Sequence, residues 1–108
     1  MTKFNNTLYL SGQVPNLETI GTTDITKQTE ETLAKIDGLL KLGGSDKRHV
    51  LSSQIWLRHI DRDFAKMNLV WNNWVGGEEA NKGVRACVES KMAREGILVE
   101  IKVIAAVP

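Results

Sequence analysis

The sequence predicts an α+β domain in which two helices cover one face of a single β-sheet. Three observations carry this reading. Two stripes of core-facing residues at three- and four-residue spacing lie between runs that alternate every second residue. A glycine pair ends each helical stripe, at 43–44 and at 76–77. The last two alternating runs are joined by a short charged turn containing Gly96. With 108 residues the chain fits one domain, 1–108, whose core needs neither disulfide nor metal.

Taken in order, Phe4-Asn5-Asn6-Thr7 reads as a turn, because asparagine tolerates left-handed backbone. Thr7–Gly12 follows as a strand with Leu8 and Leu10 on one face and Tyr9 and Ser11 on the other. The segment from Gly12 to Gly21 is a loop, and Thr22, Thr23 and Asp24 are candidate caps for a helix built on Ile25, Thr29, Leu33, Ile36 and Leu40. Val50–Leu57 is a strand with Leu51, Ile55 and Leu57 on one side and Ser52, Gln54 and Trp56 on the other. Asp61 or Asp63 starts the second helix, whose apolar positions are Phe64, Met67, Trp71, Trp74 and Val75. Glu78–Gly83 is a polar loop.

Two strands close the chain. Val84–Ser90 points Arg85, Cys87 and Glu89 one way and Ala86 and Val88 the other, and the apolar pair is expected to face the core. Leu98–Ala106 sends Val99, Ile101, Val103 and Ala105 to one face and Glu100, Lys102 and Ile104 to the opposite one. If the inward faces match, Arg85 and Glu100 share the face turned away from the helices. Tyr9, Ser11, Ser52, Trp56, Cys87, Leu98 and Ile104 are expected there too, too apolar for water and too polar for a monomer core, which suits a subunit interface.

Fourteen basic and 13 acidic residues leave a net charge of +1. That gives no basic field for nucleic acid and no polybasic membrane patch. A single cysteine precludes an internal disulfide and fits a reducing compartment, so a cytoplasmic location is expected. The chain shows no signal-peptide pattern at its start and no apolar run of about 18–20 residues. His49 and His59 lack metal-ligand spacing, and neither a Gly-x-Ser-x-Gly elbow nor a phosphate loop is present. No metal or cofactor is expected.

The order Ser11-Gly12-Gln13-Val14-Pro15, Gln28-Thr29, Asn68 before a tryptophan-rich helix end, Arg85-Ala86-Cys87-Val88, then Val99-Glu100-Ile101 resembles the Rid (YjgF-type) family of imine deaminases. The resemblance runs across nearly the whole chain. It implies a chorismate-mutase-like fold, a homotrimer with sites between subunits, and cofactor-independent hydrolysis of small 2-imino acids, or their enamine tautomers, to 2-oxo acids and ammonia. By alignment, it implies that Arg85 holds the substrate carboxylate and that Glu100 orients or activates the attacking water. It further implies that Cys87 lines the pocket through its backbone, that Ser11 hydrogen-bonds substrate or water, and that Asn68 supports the site.

Residue chemistry fits these roles without requiring them. An arginine fork grips a carboxylate bidentately, and a glutamate in a partly closed cleft serves as a general base. Without the resemblance, the two are cross-strand surface charges worth about 1 kcal/mol or less. Cys87, with no histidine near it in sequence, reads as a small hydrophobe rather than a nucleophile. Two departures stand out. The Gly-Pro-Tyr segment that precedes the first strand in the best-characterised branch is not among these residues, as expected of a divergent branch with a shorter N-terminus, and Gly83 replaces the proline two positions before the arginine, an exchange expected to loosen the approach to the clamp. The competing reading is a non-catalytic trimeric binder of small carboxylate metabolites, regulatory or chaperone-like. RNA cleavage, ascribed to some relatives, is disfavoured by the charge balance.

Overall fold

The computed structural model describes residues 1–76 and 83–108. Five strands and two helices appear in the order β1 (Thr2–Phe4), β2 (Thr7–Tyr9), α1 (Ile25–Leu42), β3 (Val50–Leu57), α2 (Ile60–Val75), β4 (Val84–Glu89) and β5 (Val99–Ala106). A 3-10 turn at Lys47–His49 leads into β3. The sheet order is β1-β2-β5-β3-β4; β3 and β4 run parallel, and the other neighbours are antiparallel. The expected α+β architecture, with both helices on one face, is the one observed.

Helix boundaries follow the predicted chemistry. Asp24 caps α1 by accepting the Lys27 N–H at 2.9 Å, and Gly43 closes it. Gly76 ends α2 in the left-handed conformation, φ 92°. The neighbouring Gly77 and the predicted polar loop, up to Gly83, lie outside the described residues. All five predicted core positions of α1 are buried, as are Met67, Trp71, Trp74 and Val75 of α2. Phe64 departs from that stripe and is 40% exposed.

Three local features refine the strand assignments. Asn5 and Asn6 both take positive φ, 49° and 58°, the geometry of a two-residue hairpin turn, so Thr2–Phe4 pairs with β2 as an additional strand. Beyond Tyr9 the chain still follows β5, through Leu10 N to Val103 O at 3.1 Å and reciprocal bonds between Gln13 and Ile101. It spends one more residue there than β5 does, and the displaced pair is Ser11-Gly12. In β3 an irregularity between Val50 and Ser52 turns Leu51 outward, 45% exposed, where simple alternation had placed it beside Ile55.

The bulge also accounts for Gly83. This residue has φ 63°, and a Cβ there would lie 2.6 Å from the Leu51 carbonyl oxygen. Proline cannot adopt that φ. The entry to β4 is therefore a tight left-handed step beneath β3 rather than the loosened approach expected from the exchange.

The core lies between the helices and one sheet face, where Val99, Ile101, Val103 and Ala105 are completely buried with Leu33, Ile36, Leu40 and Met67. Gln28, fully buried in α1, ties two loops to this layer. Its amide nitrogen donates to the carbonyls of Ile20 (3.1 Å) and Gly96 (2.8 Å), and its Oε1 accepts from the Leu98 N–H (2.8 Å). The Gln28-Thr29 pair is thus an internal brace. No helix among the described residues is long and apolar enough to cross a membrane.

Candidate functional site

The strand register decides where the predicted site residues stand, because residues paired across neighbouring strands share a face. Arg85 pairs with Ser53, and Ser53 with the buried Val103. Arg85 therefore lies on the helix-covered face. Glu100 pairs with Trp56 on the opposite, open face, where Trp56 also meets Val88. The expectation that Arg85 and Glu100 share a face is overturned. Alternation within β4 is as predicted, but its sides are exchanged: Arg85, Cys87 and Glu89 look toward α2, while Val84 (70% exposed) and Val88 (46%) look away.

Contacts with α2 explain the exchange. The Glu89 carboxylate accepts the Ile60 N–H at 3.1 Å, capping α2 where His59 makes no side-chain cap. Cys87 packs half-buried against the core, and burial pushes its thiol pKa up while Arg85 pulls weakly the other way. The thiol is neutral at pH 7. Arg85 lies with its guanidinium carbon 5.5 Å from the Trp71 ring centre and 6.0 Å from that of Phe64.

Among the five arginines, Arg85 and Arg94 have no side-chain ion pair or hydrogen bond among the described residues, and of these two it is Arg85 that meets aromatic rings. Arg48 and Arg62 bond Asp46 and Asp63 at 2.9 Å, and Arg58 bonds the carbonyls of Ile97 (2.9 Å) and Arg94 (2.7 Å). Arg85 has ring contacts but neither a carboxylate nor a carbonyl partner among the described residues. Its N–H fork is available to an anion. Asn68 falls between Phe64 and Trp71 on the same helix face, and its Oδ1 is buried without a hydrogen-bond partner among the described residues. Ser53, beside Arg85 in register, carries a second buried oxygen of this kind. Sequence reasoning singled out Arg85, Cys87 and Asn68 as candidates and assigned Phe64 and Trp71 to helix packing; the i, i+4, i+7 spacing of 64, 68 and 71 was the signal that they share a face.

The second group is built on the open face. Glu100 is half-buried beside the displaced Ser11-Gly12 step, and a Cβ on Gly12 would collide with its carboxylate. Ser11 is exposed, and its carbonyl and hydroxyl both accept from Gln13 Nε2, at 3.1 and 3.4 Å. Two clusters thus replace the single predicted one: Arg85, Cys87 and Asn68 under α2, and Glu100 with Ser11 on the reverse side of the sheet.

The chain resembles known proteins along nearly its whole length. The family model described as Endoribonuclease L-PSP matches residues 1–107. The chain belongs to this family. It is 41% identical to the RutC family protein YoaB of Escherichia coli strain K12, over 95% of this chain and 84% of YoaB. A crystal structure of a YjgF-family protein from Neisseria meningitidis superposes with TM-score 0.84 at 41% identity, covering 94% of this chain and 80% of that one. The Rid-family protein YyfA of Yersinia pestis gives TM-score 0.84 at 33% identity, covering 96% and 82%. The resemblance to Rid proteins holds at the level of family and fold.

Within this family fold, a cavity of about 510 Å³ lies elsewhere. It is an open groove between α1 and α2, floored by Leu33, Val70 and Trp74, and contains none of the predicted site residues. Volume is a weaker guide here than an unpartnered arginine fork beside orphaned polar atoms. No group of three or more metal-ligating side chains occurs among the described residues.

Proposed function

We propose that the protein is a cofactor-independent deaminase that hydrolyses small 2-imino acids, or their 2-enamine tautomers, to 2-oxo acids and ammonia, with each site built from two copies of the chain. The observation that carries this reading is the Arg85 fork, set against aromatic rings and without a carboxylate partner among the described residues. A 2-imino acid brings the missing carboxylate. Its imine N–H suits the vacant acceptor Asn68 Oδ1, and Cys87 contributes a neutral wall.

Glu100 supplies the water-activating carboxylate from a neighbouring copy. Within one chain it cannot reach, because it stands on the opposite sheet face, two strands from Arg85 (about 10 Å of sheet) and three residues further along β3. A four-carbon acid does not bridge that separation. Packing the open face against a second subunit, as in the trimer that the family resemblance implies, brings the halves together and covers Tyr9, Trp56 and Val88. In the assembled cleft Arg85 fixes the substrate, Glu100 takes a proton from water as it attacks the imine carbon, and Ser11 hydrogen-bonds the water. The carbinolamine then collapses to 2-oxo acid and ammonia.

The test generates imines with an amino-acid oxidase or a threonine dehydratase and traps them with semicarbazide. Wild type is expected to suppress the semicarbazone, while Arg85→Ala and Glu100→Gln each lose about 100-fold or more. Oligomers reassembled from equal amounts of the two inactive variants are expected to recover about a quarter of wild-type activity, since sites in trans regain one intact residue from each partner. No recovery overturns the two-copy site. The separation of Arg85 from Glu100 within one chain also favours a second reading, a carboxylate-metabolite binder without turnover. That reading prevails if wild type binds a 2-oxo acid but leaves the semicarbazone unchanged. RNA cleavage finds no support in a net charge of +1.

A further inference from the structure

An exposed arginine samples many orientations, and a ligand that needs its planar fork must offset the entropy of fixing it. Arg85 is exposed, and no ion pair or hydrogen bond holds it among the described residues. Two rings of α2 do. Trp71 lies 5.5 Å and Phe64 6.0 Å from its guanidinium carbon, and their i, i+7 spacing puts both on the helix face that meets β4. A guanidinium that lies over a ring at this distance can stack with its face while its N–H edges stay open to a hydrogen-bond acceptor.

We infer that Phe64 and Trp71 are positioning residues for the clamp: they hold the Arg85 guanidinium in the plane in which its edge grips a carboxylate. The inference rests on the carboxylate-clamp reading above and accounts for a feature that packing leaves unexplained. Phe64 remains 40% exposed at an apolar helical position while Met67, Trp71 and Trp74 on the same helix are buried. Its exposed ring lies where Arg85 does. Trp71 has a second task, packing against Trp74 at 5.2 Å between ring centres, so Phe64 gives the cleaner test.

The experiment follows the Arg85 Nε–H resonance by nitrogen-15 NMR in the intact protein, then titrates 2-oxobutanoate. In Phe64→Leu, solvent exchange of that proton is expected to rise several-fold and affinity for 2-oxobutanoate to fall about threefold, with an unchanged unfolding midpoint. Phe64→Tyr keeps an aromatic face and is expected to retain wild-type exchange and affinity. If Phe64→Leu behaves as wild type while Arg85→Ala abolishes binding, the positioning role is wrong although the clamp survives. Equal losses in Phe64→Leu and Phe64→Tyr also overturn it. If wild type itself does not bind 2-oxobutanoate, the clamp fails and the inference fails with it.

Discussion

Alternate residues of β5 occupy two different environments. Val99, Ile101, Val103 and Ala105 are fully buried beneath the helices, while Glu100, Lys102 and Ile104 stand on a face that this chain does not cover. One face holds the monomer together; the other carries Glu100 beside exposed or half-exposed Tyr9, Trp56 and Val88. A strand holds both environments because its side chains alternate, so the buried core and the uncovered face are encoded in interleaved positions of one eight-residue segment.

Substitutions on either side of β5 sharpen that contrast. Ile101→Ala removes a fully buried side chain from the covered face and is expected to cost about 3 kcal/mol, read as a lower urea midpoint with unchanged slope. Ile104→Asp, three residues on, places a charge on the open face. It is expected to leave a folded protein that sediments as a monomer and has lost the proposed deaminase activity, and a folded variant whose assembly is unchanged would mean that this face is not an interface. The smallest effect belongs to Cys87, whose thiolate is disfavoured by burial. Because its pKa is raised, alkylation by iodoacetamide is expected to be slow at pH 7 and to accelerate only above the ordinary thiol range, and Cys87→Ala is expected to keep activity within about twofold.

Legibility in the sequence followed the strength of the local signal. Val50–Leu57 and the core stripe of α1 were readable because alternation and helical spacing are properties of the chain alone. Thr2–Phe4 was not, since three residues carry no period and the strand exists only through its hairpin. Leu51 was misplaced because a bulge breaks alternation without a mark in composition. The error with the largest consequence concerned β4. Ala86 and Val88 invited an inward assignment, but this edge strand meets the N-terminus of α2, which takes Glu89 as its cap, and the aromatic rings at 64 and 71, which take Arg85. The identity of the site residues was suggested by motif order, and their division between two faces followed from register.

The sheet order β1-β2-β5-β3-β4 puts the last strand of the chain in the middle of the sheet. During synthesis β2 and β3 therefore emerge before the strand that joins them, and the covered face has no central member until Val99–Ala106 has been made. The β1–β2 hairpin and the parallel β3–α2–β4 unit can form early, but neither closes the core alone. A chain that stops short of β5 leaves two strand edges unpaired and the apolar stripes of both helices without the strand they pack on. The strand at 99–106 is thus the piece on which closure of the core depends.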